Sequence, residues 1–143
     1  MYHYTESGLR NVWLVNGYKI RTIDGQNAVA IHDVDHLHQI IGKSLASKPH
    51  LTGTELRFLR KEIGLSQSRL AELLGSTEQT VSLWERGRRM PAAYDRLVRA
   101  IYLESVEGNV KIRDMIQRLI AQDPKDVTKI VFEDAESGWR EAA

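Results

Sequence analysis

The stretch LRFLRKEIGLSQSRLAELLGSTEQTVSLWERGRRMP, residues 56–91, contains residues that start and stop helices and so divide it into short helices. Each of its glycines follows an apolar repeat of helical period, where the left-handed conformation of a helix end favours glycine. A hydroxyl residue that can cap a helix precedes each repeat. The predicted caps are Thr54, Ser66 and Thr77, and the predicted stops are Gly64, Gly75 and Gly87. The stretch therefore predicts three consecutive short helices.

A fourth helix is predicted from Pro91, because proline is favoured in the first turn of a helix. Apolar residues follow it at helical spacing: Tyr94, Leu97, Val98 and Ile101. The second and third helices, roughly ten residues each with a short turn beside a glycine, match a helix-turn-helix motif. We therefore expect a bundle of four helices in this part of the chain.

The first fifty residues are patterned differently. Apolar residues alternate with others on both sides of Asn16-Gly17, a dipeptide that suits a two-residue hairpin, and a second turn is indicated at Asp24-Gly25. A helix is indicated in DVDHLHQIIGKSLASK, residues 33–48. The predicted fold is thus mainly α, with a small α+β N-terminal unit that contains three short antiparallel hairpin strands.

Composition limits the class of protein. The chain has 143 residues, a formal net charge of +1, 42% apolar residues and no cysteine. Disulfides and thiolate metal sites are excluded, and no apolar run reaches the ~20 residues of a membrane span. We expect a cytoplasmic protein that does not enter the membrane. Any nucleic-acid site must come from local charge, and the arginines do cluster, at Arg86, Arg88, Arg89, Arg96 and Arg99.

Residues 56–91 resemble the XRE-type, or lambda-repressor-like, helix-turn-helix family, most closely in GLSQSRLAELLG and in WERG followed by basic residues and Pro91. The overall layout is similar to that of MqsA-type antitoxins, whose N-terminal unit binds zinc through cysteines that this chain lacks. We expect three regions: a partner- or ligand-binding unit (1–50), the helix-turn-helix domain (51–105) and a C-terminal helix and tail for dimerisation (106–143).

Helical geometry separates two faces of the third helix of this domain. If Val81 and Trp84 face the core, the opposite face would enter a DNA groove and read bases. The base-reading candidates are Glu78, Gln79, Ser82 and Leu83, and the candidates for contacts with the DNA backbone are Ser66, Gln67, Thr77, Arg86, Arg88 and Arg89. In the family, residues at these third-helix positions read bases, and Gln67 holds the backbone or a flanking base.

Each candidate also has a structural interpretation. Gln79 could complete a capping box with Ser76, Glu78 could be a first-turn acid favoured by the helix dipole, and Leu83 could be a core or dimer residue. The arginines after the helix could form a solvated loop, although phosphate contacts fit them better. The family also pairs an arginine of the first helix with a glutamate of the third, which implies a structural ion pair between Arg60 and Glu85.

IHDVDHLH, residues 31–38, offers an alternative chemistry, because His32 and His36 would share one helix face as a metal pair does. His38 lies nearby, but a third ligand is not evident, so a helix start with solvated histidines is the better interpretation. We expect no metal, no cofactor and no catalytic residues, since no nucleophile and base pair or phosphate-binding glycine loop is present.

NVKIRDMIQRLIAQ, residues 109–122, carries an apolar stripe of Ile112, Met115, Ile116, Leu119 and Ile120. With TKIVFED (128–134) as a short strand and Trp139 in the tail, this region could pair with a second copy. We expect a homodimer, which suits a palindromic operator with half-sites about 34 Å apart.

These observations predict a sequence-specific DNA-binding transcriptional repressor. The resemblance implies the antitoxin of a type II toxin-antitoxin operon, with a toxin held by the N-terminal unit through Trp13, Tyr18 and Leu37. The alternative is a stand-alone or phage-borne XRE-type regulator whose N-terminal unit dimerises or senses a ligand.

Overall fold

The computed structural model describes residues 1–108 and 129–142. The elements are β1 (Tyr2–His3), β2 (Val12–Leu14), β3 (Tyr18–Ile23), β4 (Gln26–Ile31), α1 (Val34–Ala46), α2 (Gly53–Ile63), α3 (Gln67–Leu74), α4 (Glu78–Glu85), α5 (Ala92–Glu107), β5 (Ile130–Ala135) and β6 (Gly138–Glu141). The prediction of a mainly helical fold with a small strand-bearing unit is confirmed. No helix in the described ranges is both long and apolar enough to span a membrane.

The described residues form two compact units, 1–40 with 129–142 and 41–108. The division falls within α1, whereas the sequence analysis placed the boundary between the first two regions at residues 50 and 51. Residues 129–142 group with the N-terminal strands, although the sequence placed them in a separate C-terminal region. The apolar stripe predicted in residues 109–122 lies outside the described residues.

The first unit contains a four-stranded sheet in the order β1-β2-β5-β6. β2 pairs antiparallel with β1 and parallel with β5, and Val12 lies opposite Ile130 and Leu14 opposite Phe132. All four of these side chains are buried, because alternate residues of a strand face the same side of the sheet. Residues 130–134, the last five of TKIVFED, lie in β5, a strand as predicted, and the partners of this strand are β2 and β6 of the same chain.

The turn at Asp24-Gly25 is confirmed, and both residues have the positive φ that a tight hairpin turn requires, 50° and 76°. The hairpin predicted at Asn16-Gly17 is wrong, because both edges of β2 are taken by β1 and β5. Asn16 instead exchanges side-chain hydrogen bonds with the backbone of Asp134. β3 and β4 therefore form a separate two-stranded sheet.

The histidines of residues 31–38 take part in the structure of the first unit. The indole N–H of Trp139 donates to the backbone oxygen of His32 at 2.9 Å, and the backbone N–H of Trp139 donates to Nδ1 of His36 at 3.3 Å. Nε2 of His38 lies 2.8 Å from the hydroxyl of Tyr4. Across the two described ranges, no group of three histidine, cysteine or acidic side chains is arranged to hold a metal ion.

The second unit contains α2 to α5. Ser66 and Thr77 cap α3 and α4 as predicted, and Gly64 and Gly75 end α2 and α3 in the left-handed conformation. The cap of α2 is Thr52 rather than Thr54, because Thr52 forms a reciprocal capping box with Glu55.

Two buried ion pairs hold residues 48–51 against the helices of this unit. Lys48 contacts Glu55 at 2.6 Å, and Arg99 contacts Asp95 at 2.6 Å. The guanidinium of Arg99 also donates to the backbone oxygens of Lys48 and Pro49, and Asp95 accepts from the backbone of Leu51. Arg99, which the sequence counted in the basic cluster, is therefore a core residue and only 2% exposed.

Candidate nucleic-acid interface

The two faces of α4 differ in burial. Val81 and Trp84 are buried, and the ring of Trp84 lies 5.1 Å from that of Tyr94. Of the predicted base-reading residues, Glu78 and Gln79 are exposed, and Ser82 and Leu83 are half-buried. The first two turns of α4 thus present an acid, an amide, a hydroxyl and an aliphatic group away from the core.

The side chain of Gln79 takes no part in capping α4. The hydroxyl of Thr77 accepts from the backbone of Thr80 at 3.2 Å, so α4 starts at Glu78 and a capping box between Ser76 and Gln79 does not form. The hydroxyl of Ser66 accepts from the backbone of Arg69 at 3.0 Å. A hydroxyl that accepts in this way can still donate its own proton, for example to a phosphate.

The structure brings Arg60 and Glu85 together in a bidentate contact. Nε and Nη2 of Arg60 donate to the two carboxylate oxygens of Glu85 at 2.7 and 3.0 Å, and the side chains are only 10% and 4% exposed. The remaining nitrogen, Nη1, donates to the backbone oxygen of Leu65 at 2.9 Å. This arrangement fixes the position of α2 relative to the end of α4.

Gln67 lies in the same network, which the sequence did not indicate. Its amide nitrogen donates to Glu85 at 3.2 Å, so one carboxylate holds residues from α2 and α3 together. The amide oxygen is not used in this bond and can accept a further hydrogen bond. Gln67 is thus the first residue of α3, held at a defined position beside α4.

Three exposed arginines follow the exposed face of α4: Arg86, Arg88 and Arg89. Among residues 1–108 and 129–142 none of them forms an ion pair. The backbone of Arg88 donates to the oxygen of Leu83, and Gly87 has a φ of 112°, so the chain turns sharply at the end of α4. The turn presents a concentrated positive charge next to the face of α4.

Arg88 and Arg89 also line a pocket of about 590 Å³ within the second unit, together with Arg96 of α5. Its walls include Leu51, Trp84 and Met90. Arg96 is exposed and forms no ion pair with the described residues, whereas Asp95 beneath it is neutralised by Arg99. The sequence placed Arg96 in the basic cluster, but only the fold brings it to the same pocket as Arg88 and Arg89.

Comparisons with known proteins identify a helix-turn-helix region in this chain. The profile of a helix-turn-helix family matches residues 56–94. A segment of this chain is 43% identical to an uncharacterized HTH-type transcriptional regulator of Methanothermobacter thermautotrophicus strain Delta H. The matched segment has 56 residues, which are 38% of this chain and cover 81% of that relative.

A second similarity, 34% identity over 88 residues or 61% of this chain, is to the SAM pointed domain-containing Ets transcription factors of Mus musculus and Homo sapiens. It covers 25% and 24% of those proteins, so the chain spans only about a quarter of their length. No solved structure matches the chain. The Methanothermobacter relative, covered over most of its length, and the matched profile assign this chain to the helix-turn-helix family of DNA-binding transcriptional regulators.

Proposed function

We propose that this protein is a sequence-specific repressor that places α4 in the major groove of a palindromic operator. The observation that carries the proposal is the division of α4 into a buried side, Val81 and Trp84, and an exposed side that ends in arginines which form no ion pair with the described residues. A helix with this division can insert its polar side into a groove while its apolar side stays in the protein core.

The chemistry of the exposed side suits base edges. The amide of Gln79 can donate and accept at once, which fits N6 and N7 of adenine, and Glu78 can accept from N4 of cytosine. Ser82 can bond to several bases, and Leu83 can contact the methyl group of thymine. Glu78 also has a structural role as the first-turn acid of α4, so Gln79 is the stronger base-reading residue.

Contacts with the DNA backbone would flank this face. Arg86, Arg88 and Arg89 supply positive charge after α4, and Ser66, Gln67 and Thr77 supply polar groups at the starts of α3 and α4. Phosphate contacts of this kind position a protein without reading sequence. The pocket shared by Arg88, Arg89 and Arg96 offers a place for one phosphate beside the turn.

Repression would follow from occupancy of the operator by a homodimer. A twofold dimer places two copies of α4 about 34 Å apart, on successive turns of one DNA face. A protein bound in this way excludes other proteins from the same DNA.

The first unit is proposed to bind another molecule. In the antitoxin version of the proposal that molecule is a toxin, and in the stand-alone version it is a ligand or a second copy. Trp13 and Tyr18 are half-buried and pack against His3 and Tyr2, so only part of each ring is accessible as an anchor. Aromatic residues often dominate interfaces. Leu37, the third anchor predicted from sequence, is fully buried and belongs to the core.

The test is selection of binding sites from a random double-stranded DNA library by the full-length protein, followed by footprinting. A palindromic consensus protected over two successive major grooves supports the proposal. Recovery of no consensus at low salt, with uniform binding of all DNA, refutes sequence-specific repression. Co-expression with the neighbouring gene product separates the antitoxin version from the stand-alone version, because only the antitoxin version expects a stable complex.

A further inference from the structure

The β3–β4 hairpin has two open edges, because its two strands form a sheet of their own among the described residues. A two-stranded sheet is only marginally stable in water. Its sequence is nevertheless apolar on one face, where Ile20 lies opposite Val29 and Ile20 is 54% exposed. An open strand edge of this kind pairs readily with another strand.

The register shows which backbone groups of β4 point outward. In a hairpin with a two-residue turn, the pair that flanks the turn, here Ile23 and Gln26, is hydrogen-bonded. Further along the two strands, non-hydrogen-bonded and hydrogen-bonded pairs alternate. The bond from the backbone of His32 to the oxygen of Gly17 continues the same alternation. The outward N–H and C=O groups of β4 are therefore those of Asn27, Val29 and Ile31.

Charge distinguishes the two edges. Suppose that β3 paired antiparallel with β3 of a second copy, with the two Ile20 residues opposite each other. Lys19 of one copy would then lie directly opposite Arg21 of the other, and like charges in that position are destabilising. β4, with the sequence QNAVAI, carries no charge. Self-pairing about Val29 would place Asn27 opposite Ile31 and Ala28 opposite Ala30, without any repulsion.

We propose that β4 is a dimer contact that pairs antiparallel with β4 of a second copy of this chain. The twofold axis passes between the two Val29 residues, and the strand order becomes β3-β4-β4-β3 across the two copies. This register uses all three outward residues of each β4 and keeps Ile20 and Val29 of both copies on one continuous apolar face. The inference rests on the homodimer of the proposed function and assigns it a surface.

Disulfide trapping in the full-length protein tests this contact, since the chain contains no cysteine of its own. Across the proposed axis the Cα atoms of the two Val29 residues would be about 5.5 Å apart, within disulfide range. Val29→Cys is therefore expected to form a covalent dimer under mild oxidation. Ile20→Cys is the matched control, because its two copies would be three strand spacings, or about 14 Å, apart.

Proline substitutions give an independent measurement, sedimentation equilibrium. Val29→Pro removes an outward N–H without breaking the hairpin ladder, and should raise the dimer dissociation constant at least about tenfold. Ile20→Pro, on the other edge of the same pair, should leave that constant unchanged. Circular dichroism of the two variants checks that the fold is equally retained.

The inference is overturned if Val29→Cys gives no cross-link, if Ile20→Cys cross-links as readily, or if both proline variants dimerise equally well. These measurements report mass rather than DNA binding. A monomer that still selects one operator half-site would refute the β4 contact and leave the proposed base recognition intact.

Discussion

Arg60 donates to both carboxylate oxygens of Glu85, at 2.7 and 3.0 Å, in a site where the two side chains are nearly inaccessible to solvent. Glu85 is the last residue of α4, so this contact sets the position of the helix that is proposed to read DNA. A buried pair of this kind is expensive to break, because the remaining partner keeps a buried and uncompensated charge.

We predict that Glu85→Ala lowers the free energy of unfolding by about 3 to 5 kcal/mol, measured by urea denaturation. The matched control is Glu72→Ala, which breaks the ion pair with Arg69 on the exposed side of α3 and should cost under about 1 kcal/mol. Similar losses from the two substitutions would contradict the structural role of the Arg60–Glu85 pair.

The proposed base-reading role of the exposed face of α4 is tested by Gln79→Ala and Leu83→Ala. Each should weaken binding to the selected operator by about 1 to 3 kcal/mol and leave binding to random DNA nearly unchanged, because base contacts add only to specific affinity. Fluorescence anisotropy with both DNAs at one fixed salt concentration measures the difference. Equal losses on operator and random DNA would assign these residues to the structure or to the backbone contacts.

The arginines of the turn are tested by the double substitution Arg88→Ala and Arg89→Ala. If both contact phosphates, affinity should fall on all DNA, and the slope of log affinity against log salt should flatten by about 1.8. Lys19→Ala with Arg21→Ala removes the same charge from the hairpin and serves as the control. An equal change of slope in both double variants would mean that only net charge matters.

The segment before α2 is expected to be part of the second unit. A fragment of residues 41–108 should be more stable to urea than one of residues 51–108. The shorter fragment lacks Lys48 and Pro49, so Glu55 loses its ion pair and Arg99 loses two backbone acceptors. Each buried group left unsatisfied should lower the free energy of unfolding by about 1 to 3 kcal/mol. Fragments of equal stability would show that residues 41–50 contribute nothing to this unit.

Gly17 and Gly25 provide a matched pair of substitutions in the first unit, with φ values of 78° and 76°. Gly25→Ala should cost about 1 to 2 kcal/mol, since only the left-handed backbone opposes it and no atom lies within 4 Å of the added carbon. Gly17→Ala should cost clearly more, because the same carbon collides with the ring of Trp139. Equal melting temperatures of the two variants would refute this close approach.

Most of the helical unit was predictable because its signals are local. A cap such as Ser66 and a left-handed glycine such as Gly64 act within one turn of their helix, and the buried positions of Val81 and Trp84 follow from helical period alone. The exposed face of α4 was predictable for the same reason. The cap of α2 was misplaced by two residues, because Thr52 and Thr54 are both able to cap and only the reciprocal bond with Glu55 distinguishes them.

Tertiary structure decided what depends on distant partners. A strand of three residues, Val12–Leu14, carries no signal that its neighbour is β5, more than a hundred residues later, so Asn16-Gly17 was interpreted as a hairpin turn. In the same way Arg99 is indistinguishable in sequence from a surface arginine until Asp95 and the carbonyls of residues 48 and 49 surround it. Periodicity determines which side of an element is apolar, whereas pairing between distant segments depends on where the rest of the chain brings their unsatisfied polar groups.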